Sequence, residues 1–332
     1  MQTRQLGNTD ICITPIGFGA WAIGGPDYAF GWGPQDDADS VAAIHRAVDG
    51  GINWIDTAAI YGLGRSERVI AHALKSLGSS RRPYLFTKCS LVWDEQRTIS
   101  HSLKAASLRN EVDDSLRRLE TDVIDLYQIH WSKMFGSDGP ASDIEEGWST
   151  LGELKKEGKL RHIGVSNFDV PELERARAIV SVASLQPPYS MLRRGIEQDI
   201  IPYCQANQIG VIVYSPMAAG VLTGAMTRGR AAALPANDWR SRNPELQEPK
   251  LTHNLALVEV LRTIGARYGA SPGAVAVAWA LRQPAVTGAI VGFRNAGQVD
   301  GMITAGTFRL SEGEIAEIEP HLPAPARVVR SE

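Results

Sequence analysis

The sequence predicts an α/β protein built as a (β/α)8 TIM barrel, with an N-terminal β-hairpin plug and long loops on its C-terminal face. Two observations carry this. Short apolar runs of strand length alternate with longer segments of helical spacing along the chain. Many of those runs end in residues able to do chemistry or hold a ligand: Asp56, Lys88, His130, Ser166 with Asn167, Gln186, Tyr214 with Ser215, and Arg294. One site built from many strand ends is what the C-terminal face of such a barrel provides.

Taken in order, residues 1–15 alternate polar and apolar around Gly7-Asn8, a turn between two short strands placed to plug the barrel floor. Residues 15–21 are the first barrel strand, and 24–34 is a loop rich in Gly and aromatics (Tyr28, Phe30, Trp32), long enough to hang over a site. Residues 36–49 have helical spacing, with Asp residues near the start. Strand two is 52–57, followed by Tyr61 in a short loop and by a helix entered at Ser66-Glu67. Strand three is 83–88, 91–105 reads as a polar loop or helix start, and 108–119 is helical. Strand four, 121–130, is a mostly apolar run ending in His130.

Residues 132–142, with Gly136, Gly139 and Pro140, read as a loop. The helix at 144–157 is stopped by Gly158, a C-cap glycine. Strand five is 160–165, and Pro171 sits at a helix start, where its missing N–H is not needed. Strands six and seven are 182–186 and 210–214. The long irregular stretch 216–250 reads as a lid or binding loop. Helices at about 252–268 and 272–283 precede strand eight, 286–291, and the tail 311–318 opens with the capping-box spacing Ser311/Glu314. No linker interrupts this order, so residues 1–332 are read as a single domain.

The totals narrow the function. A chain that is 44% hydrophobic and 21% charged is ordinary globular material, large enough to bury a sizeable core. Its formal net charge of −3 gives no general attraction to nucleic acid or anionic lipid. Three scattered cysteines argue against a disulfide framework and for a reducing cytoplasm. No apolar run reaches the length of a membrane span, and the N-terminus lacks the apolar core of a signal peptide. No His, Cys or carboxylate cluster has metal-ligand spacing, so no metal is expected.

Asp56, Tyr61, Lys88 and His130 make chemical sense together. A tyrosine acts as a general acid when its phenol pKa, ~10 unperturbed, is brought toward operating pH. A nearby ammonium does this by favouring phenolate, a carboxylate keeps that ammonium charged, and a histidine orients a carbonyl or shares the proton. The set suits delivery of a proton to a carbonyl oxygen while hydride arrives at its carbon. Alone, each member reads more readily as a core tyrosine or a structural ion pair; it is their joint placement at the ends of strands two, three and four that points to catalysis.

Three signatures then carry a resemblance. They are Gly50-Gly51-Ile52-Asn53-Trp54-Ile55-Asp56-Thr57-Ala58-Ala59-Ile60-Tyr61-Gly62 with Ser66-Glu67, Gly164-Val165-Ser166-Asn167-Phe168, and Tyr214-Ser215-Pro216 followed by Gly220-Val221-Leu222-Thr223-Gly224. The chain resembles the aldo-keto reductase family over nearly its whole length. The Gln186-Pro187-Pro188-Tyr189-Ser190 run and the long 216–250 loop resemble a bacterial branch related to general-stress reductases and potassium-channel β subunits. The resemblance implies an NADP(H)-dependent oxidoreductase acting on aldehydes, ketones or sugar carbonyls, reversibly, with Tyr61 as proton donor, Lys88 and Asp56 tuning it, and His130 helping to bind the carbonyl.

By the same resemblance, Ser166, Asn167 and Gln186 hold the nicotinamide carboxamide, and Tyr214 stacks on the ring. Ser215, Pro216, Met217, Gly220 and Leu222 belong to the segment wrapping the pyrophosphate, and Gly292, Arg294 and Gln298 to the adenosine end. A guanidinium at Arg294 suits a 2′-phosphate and argues for NADPH over NADH, although a solvated surface charge is the other reading. Phe293 and Met302 depart from the family pattern here, which leaves NAD(H) as the lesser alternative. Trp21, beside the cofactor, and Trp93 and Trp131 are placed to wall an apolar substrate pocket; for Trp93, packing of a loop onto the rim reads equally well.

Two other functions are weighed. One is a slow-turnover NADP(H)-binding redox sensor or partner subunit, without a membrane-facing or partner motif to support it. The other is a metal-dependent barrel hydrolase, which needs paired histidines that Phe18-Gly19-Ala20-Trp21 does not offer. A small carbonyl compound is the expected partner, not nucleic acid or membrane, and monomer and homo-oligomer both stay open.

Overall fold

The computed structural model describes residues 1–26, 28–78, 81–137, 141–235 and 238–324. The chain opens with a hairpin, β1 (Arg4–Gln5) paired antiparallel with β2 (Cys12–Ile13). Then come β3 (Ile16–Gly19), β4 (Trp54–Asp56) and β5 (Tyr84–Cys89), a second hairpin of β6 (Leu91–Trp93) and β7 (Ile99–His101), and β8 (Ile124–Ile129), β9 (Leu160–Ser166), β10 (Ser184–Gln186), β11 (Gly210–Val213) and β12 (Val286–Gly292). The strands outside the two hairpins form a closed parallel barrel of eight, in the order β10-β11-β12-β3-β4-β5-β8-β9. This is the predicted (β/α)8 architecture.

The helices between the barrel strands are α1 (Asp37–Asp49), α2 (Arg65–Lys75), α3 (Ala105–Leu119), α4 (Ile144–Lys156), α5 (Val170–Arg177), α6 (Ile200–Ala206), α7 (Arg228–Ala232), α8 (Lys250–Ala266) and α9 (Pro272–Ala280), with α10 (Ala296–Asp300) and α11 (Glu312–Ile318) after the last strand. Their ends follow the sequence. Asp36 caps α1 by accepting from Ala38 N and Asp39 N, and Gly158 takes a left-handed φ of 85° just past α4. Ser311 and Glu314 form the expected capping box, and Asp169 with Glu172 forms a second one beside Pro171.

The N-terminal hairpin does plug the floor. Leu6, Ile11 and Ile13 are fully buried against Trp54, Phe86, Leu126 and Ile212 inside the barrel. Two glycines make this packing possible. Gly7 has φ 55°, and a Cβ there would lie 2.5 Å from Gly210 N; at Gly17 a Cβ would lie 2.2 Å from the Trp54 ring. Trp54 fills the space Gly17 leaves and donates from Nε1 to Thr14 O at 2.9 Å.

Four parts of the chain differ from the sequence expectation. Residues 91–101 are the β6–β7 hairpin rather than a polar loop, and only the end of the 91–105 stretch, at Ala105, is a helix start. The hairpin turn is closed by Asp94, whose side chain accepts from Thr98 N at 2.7 Å. α6 and α10, of 7 and 5 residues, are too short to show helical periodicity. The 216–250 stretch contains α7 and several 3₁₀ turns, at Ala218–Thr223, Trp239–Arg242 and Pro244–Leu246. Gly139 and Pro140 of the 132–142 loop lie outside the described residues.

Candidate active site

A cavity of about 910 Å³ opens over the C-terminal ends of the barrel strands. Of the four residues the sequence singled out, Asp56, Tyr61 and His130 line its floor and Lys88 lies buried beneath them. Asp56 closes β4, and Tyr61 sits in the turn that leads from β4 to α2. Lys88 is the penultimate residue of β5, and His130 follows β8 directly.

Lys88 is fully buried, and its Nζ donates to Asp56 Oδ1 at 2.6 Å, to Thr57 O at 2.8 Å and to the Tyr61 hydroxyl at 3.4 Å. Burial pulls the Lys88 pKa down while the Asp56 charge opposes it. The His130 ring stands edge-on to Tyr61, with centroids 5.8 Å apart. Burial, with the Lys88 charge behind it, holds the His130 pKa well below the usual imidazole value, so the ring is neutral at physiological pH. The phenol differs from expectation. Lys88 was expected to draw the Tyr61 pKa down, but burial and then the Asp56 charge push it well above 10, so the hydroxyl keeps its proton.

The far oxygen of Asp56 is also occupied. Gln186 Nε2 donates to Asp56 Oδ2 at 2.8 Å and to Gln128 Oε1 at 3.2 Å, and Gln128 Nε2 lies 3.4 Å from Asp56 Oδ2. Sequence reasoning missed Gln128. The available signal was an uncharged amide inside an apolar strand, two residues before His130, where burial demands a polar partner.

Next to this network, Ser166 Oγ donates to Gln186 O at 2.7 Å. Asn167, at φ 59°, donates from Nδ2 to His130 O and to Ser166 Oγ, both at 3.0 Å, and accepts from the Tyr214 hydroxyl at 2.9 Å. The strand ends are thus one connected hydrogen-bonded surface. Ser215, Pro216, Met217 and Gly220 line the cavity beyond Tyr214, and Gly292, Arg294 and Gln298 line its far end. Gln298 Oε1 accepts from Arg294 N at 2.8 Å. The Arg294 guanidinium donates to Gln35 Oε1 at 2.7 Å and to Pro34 O.

Two expected site residues fall elsewhere. Leu222 is fully buried in the main core, because the backbone turn at Ala218, Ala219 and Gly220 (φ 48°, 55° and 94°) directs it inward. Trp93 does not line the cavity: it packs behind it, in the apolar cluster of Ala58, Ile60 and Leu91, with its ring facing the Arg118 guanidinium at 5.7 Å. Trp21 and Trp131 do line the cavity. Trp21 is stacked on Trp239 at 5.2 Å and meets Trp32 edge-on at 5.4 Å. Trp239, from the 216–250 segment, was not foreseen; its neighbour Arg240 pairs with Asp238 at 2.5 Å and lies over Trp32 at 4.6 Å.

A nicotinamide dinucleotide fits this arrangement. Backbone of the left-handed turn at Ala219 and Gly220 meets the cavity, and Arg230, Arg240 and Arg294 also line it. Among the described residues the one carboxylate lining the cavity is Asp56, which Lys88 neutralises at the tetrad. A polyphosphate therefore meets cations rather than anions. Among the described residues, no group of three or more His, Cys, Asp or Glu is placed to hold a metal ion, and no helix is long and apolar enough to cross a membrane.

A parallel barrel with a buried lysine–carboxylate pair beneath a tyrosine hydroxyl, open to an aromatic and partly cationic cavity, has the layout of a nicotinamide-dependent oxidoreductase. Comparison with known proteins agrees. The Aldo/keto reductase family model matches residues 15–323. The chain is 37% identical over 303 residues to the aldo-keto reductase YhdN of Bacillus subtilis, covering 91% of this chain and 88% of that one. It is 33% identical over 324 residues to the NADH-specific methylglyoxal reductase of Escherichia coli, covering 95% and 96%. Among solved structures, the glycerol dehydrogenase AKR11B4 of Gluconobacter oxydans aligns over 100% of this chain and 98% of its own, at 34% identity and a TM-score of 0.86. The chain belongs to the aldo/keto reductase family.

Proposed function

We propose that this chain is an NADPH-dependent reductase of aldehydes, and of some ketones or sugar carbonyls, with Tyr61 as the proton donor. The observation that carries the reading is the placement of Lys88 Nζ between Asp56 Oδ1 and the Tyr61 hydroxyl, beneath the cavity. When bound, a reduced nicotinamide supplies hydride to the carbonyl carbon. Tyr61, which burial keeps protonated, gives its proton to the carbonyl oxygen. As the phenolate forms, the Lys88 ammonium stabilises it, and Asp56 keeps that ammonium charged and aimed. Neutral His130 orients the carbonyl by a hydrogen bond.

Ser166, Asn167 and Gln186 take the carboxamide, Tyr214 lies against the ring, and Ser215, Pro216, Met217 and Gly220 follow the pyrophosphate. Gly292, Arg294 and Gln298 take the adenosine end. The preference for NADPH is supported by Arg294, whose hydrogen-bond acceptors, Gln35 Oε1 and Pro34 O, are both neutral and which Asp238 meets only through space, so a 2′-phosphate displaces no ion pair. Trp21 and Trp131 wall the substrate end, where aromatic faces receive the apolar part of a small carbonyl compound.

The test is oxidation of NADPH or NADH with a panel of aldehydes, ketones and sugars, with Tyr61→Phe run alongside. Expected are NADPH-preferring turnover and its loss by at least about 100-fold in Tyr61→Phe, with cofactor binding retained. Turnover retained in Tyr61→Phe refutes the proton-donor assignment. A relative named as NADH-specific makes the NADH arm a real alternative outcome.

A further inference from the structure

We propose that Gln128 is a positioning residue: it fixes the Gln186 side-chain amide in one orientation, so that the carboxamide end of the cavity offers acceptors and reads the N–H₂ of its ligand. The argument is an accounting of donors and acceptors. A glutamine amide has two N–H donors and one carbonyl oxygen. Gln186 Nε2 donates to Asp56 Oδ2 at 2.8 Å and to Gln128 Oε1 at 3.2 Å, which takes both of its N–H groups. Gln186 lines the cavity, so Oε1 is the polar end of its amide left to meet a ligand.

Asn167 gives the same answer. Its Nδ2 is spent on His130 O and Ser166 Oγ, and Oδ1, accepting from Tyr214, has a second lone pair to offer. Without Gln128, only Asp56 Oδ2 would hold the Gln186 amide, through one N–H, and the whole amide could swing about that bond and bring its second N–H to the cavity. Gln128 is fully buried on β8 with its acceptor aimed at Gln186, and its own Nε2 faces Asp56 Oδ2 at 3.4 Å. It therefore ties the carboxamide-binding glutamine and the carboxylate that holds Lys88 into one network.

The inference rests on the nicotinamide reading above, and its test separates the two. NADPH carries a carboxamide with an N–H₂; its 3-acetylpyridine analogue keeps the carbonyl and has a methyl in place of that group. Binding of each reduced dinucleotide to the full chain is followed by quenching of tryptophan fluorescence, which needs no turnover. Wild type is expected to bind NADPH at least about tenfold tighter than the analogue, the scale of one amide hydrogen bond. In Gln128→Met, of similar length without an oxygen, that ratio is expected to fall toward one, because a reorienting Gln186 serves either ligand.

Should Gln128→Met not fold, Gln128→Asn makes the same test, because its shorter chain withdraws the acceptor. Equal affinity of wild type for both dinucleotides, or an unchanged ratio in Gln128→Met or Gln128→Asn, overturns the proposal. Absence of any dinucleotide binding by wild type overturns the nicotinamide reading itself.

Discussion

Lys88 Nζ lies 2.6 Å from Asp56 Oδ1 with both side chains almost wholly out of solvent. A pair so buried costs its desolvation, and removing one partner strands the other charge. Lys88→Met is therefore expected to destabilise the fold by about 3–5 kcal/mol and to lower turnover by at least about 100-fold. Adding Asp56→Asn to Lys88→Met should restore part of the stability and none of the turnover. Thermal unfolding of both variants checks this, and a double variant no more stable than Lys88→Met refutes the stranded-charge account.

Arg294 joins the cavity's far end to the loop that carries Pro34 and Gln35. Arg294→Met is expected to weaken NADPH binding by about 10- to 100-fold, the range of a lost charge-assisted pair, and to leave NADH binding within about threefold. Calorimetric titration with both cofactors decides it. Equal losses for the two would mean that Arg294 props the loop rather than reads a phosphate.

Trp131 lines the cavity and Trp93 faces Arg118. Trp131→Ala should raise KM for aromatic aldehydes by about 2- to 15-fold, as a lost aromatic face of about 0.5–1.5 kcal/mol implies, while Trp93→Ala should leave KM unchanged. A KM change in Trp93→Ala matching that of Trp131→Ala would contradict the placement of the hairpin ring behind the cavity wall.

Glu111 is buried behind the β5 end, where its carboxyl accepts from Ser90 N at 2.9 Å and Ser107 Oγ at 3.1 Å. Burial raises its pKa from 4.5 to about 7. A carboxyl with a raised folded pKa adds stability that is complete below the unfolded value and is lost as pH rises through the folded one. Stability of wild type relative to Glu111→Gln should therefore fall by about 3 kcal/mol in all between pH 4.5 and 7, at ~1.4 kcal/mol per pH unit. Denaturant melts at several pH values give the difference, and a flat or rising one refutes the assignment.

How much was legible follows from the range of each signal. The barrel strands, the floor plug and the Ser311/Glu314 capping box were readable because period, turn residues and cap spacing are local properties of the chain. Asp56, Lys88 and His130 were readable because strand ends in this fold face one site. The β6–β7 hairpin was missed because its strands are three residues each and its stretch is mostly polar. Leu222 and Trp93 were misplaced because the turn before one and the hairpin under the other set their direction.

The sequence by itself determined the architecture, the four residues at and beneath the cavity floor and the family, since each is written in residue type at short spacing. Tertiary structure alone decided the rest. It joined Gln128 to Gln186, 58 positions apart, and laid Trp239 on Trp21. It also set the Tyr61 phenol above its ordinary pKa rather than below it. The physical reason is common to all three. Hydrogen-bond partners, ring contacts and desolvation depend on what surrounds a group in space, and in a closed barrel those neighbours come from strands and loops far away in the chain.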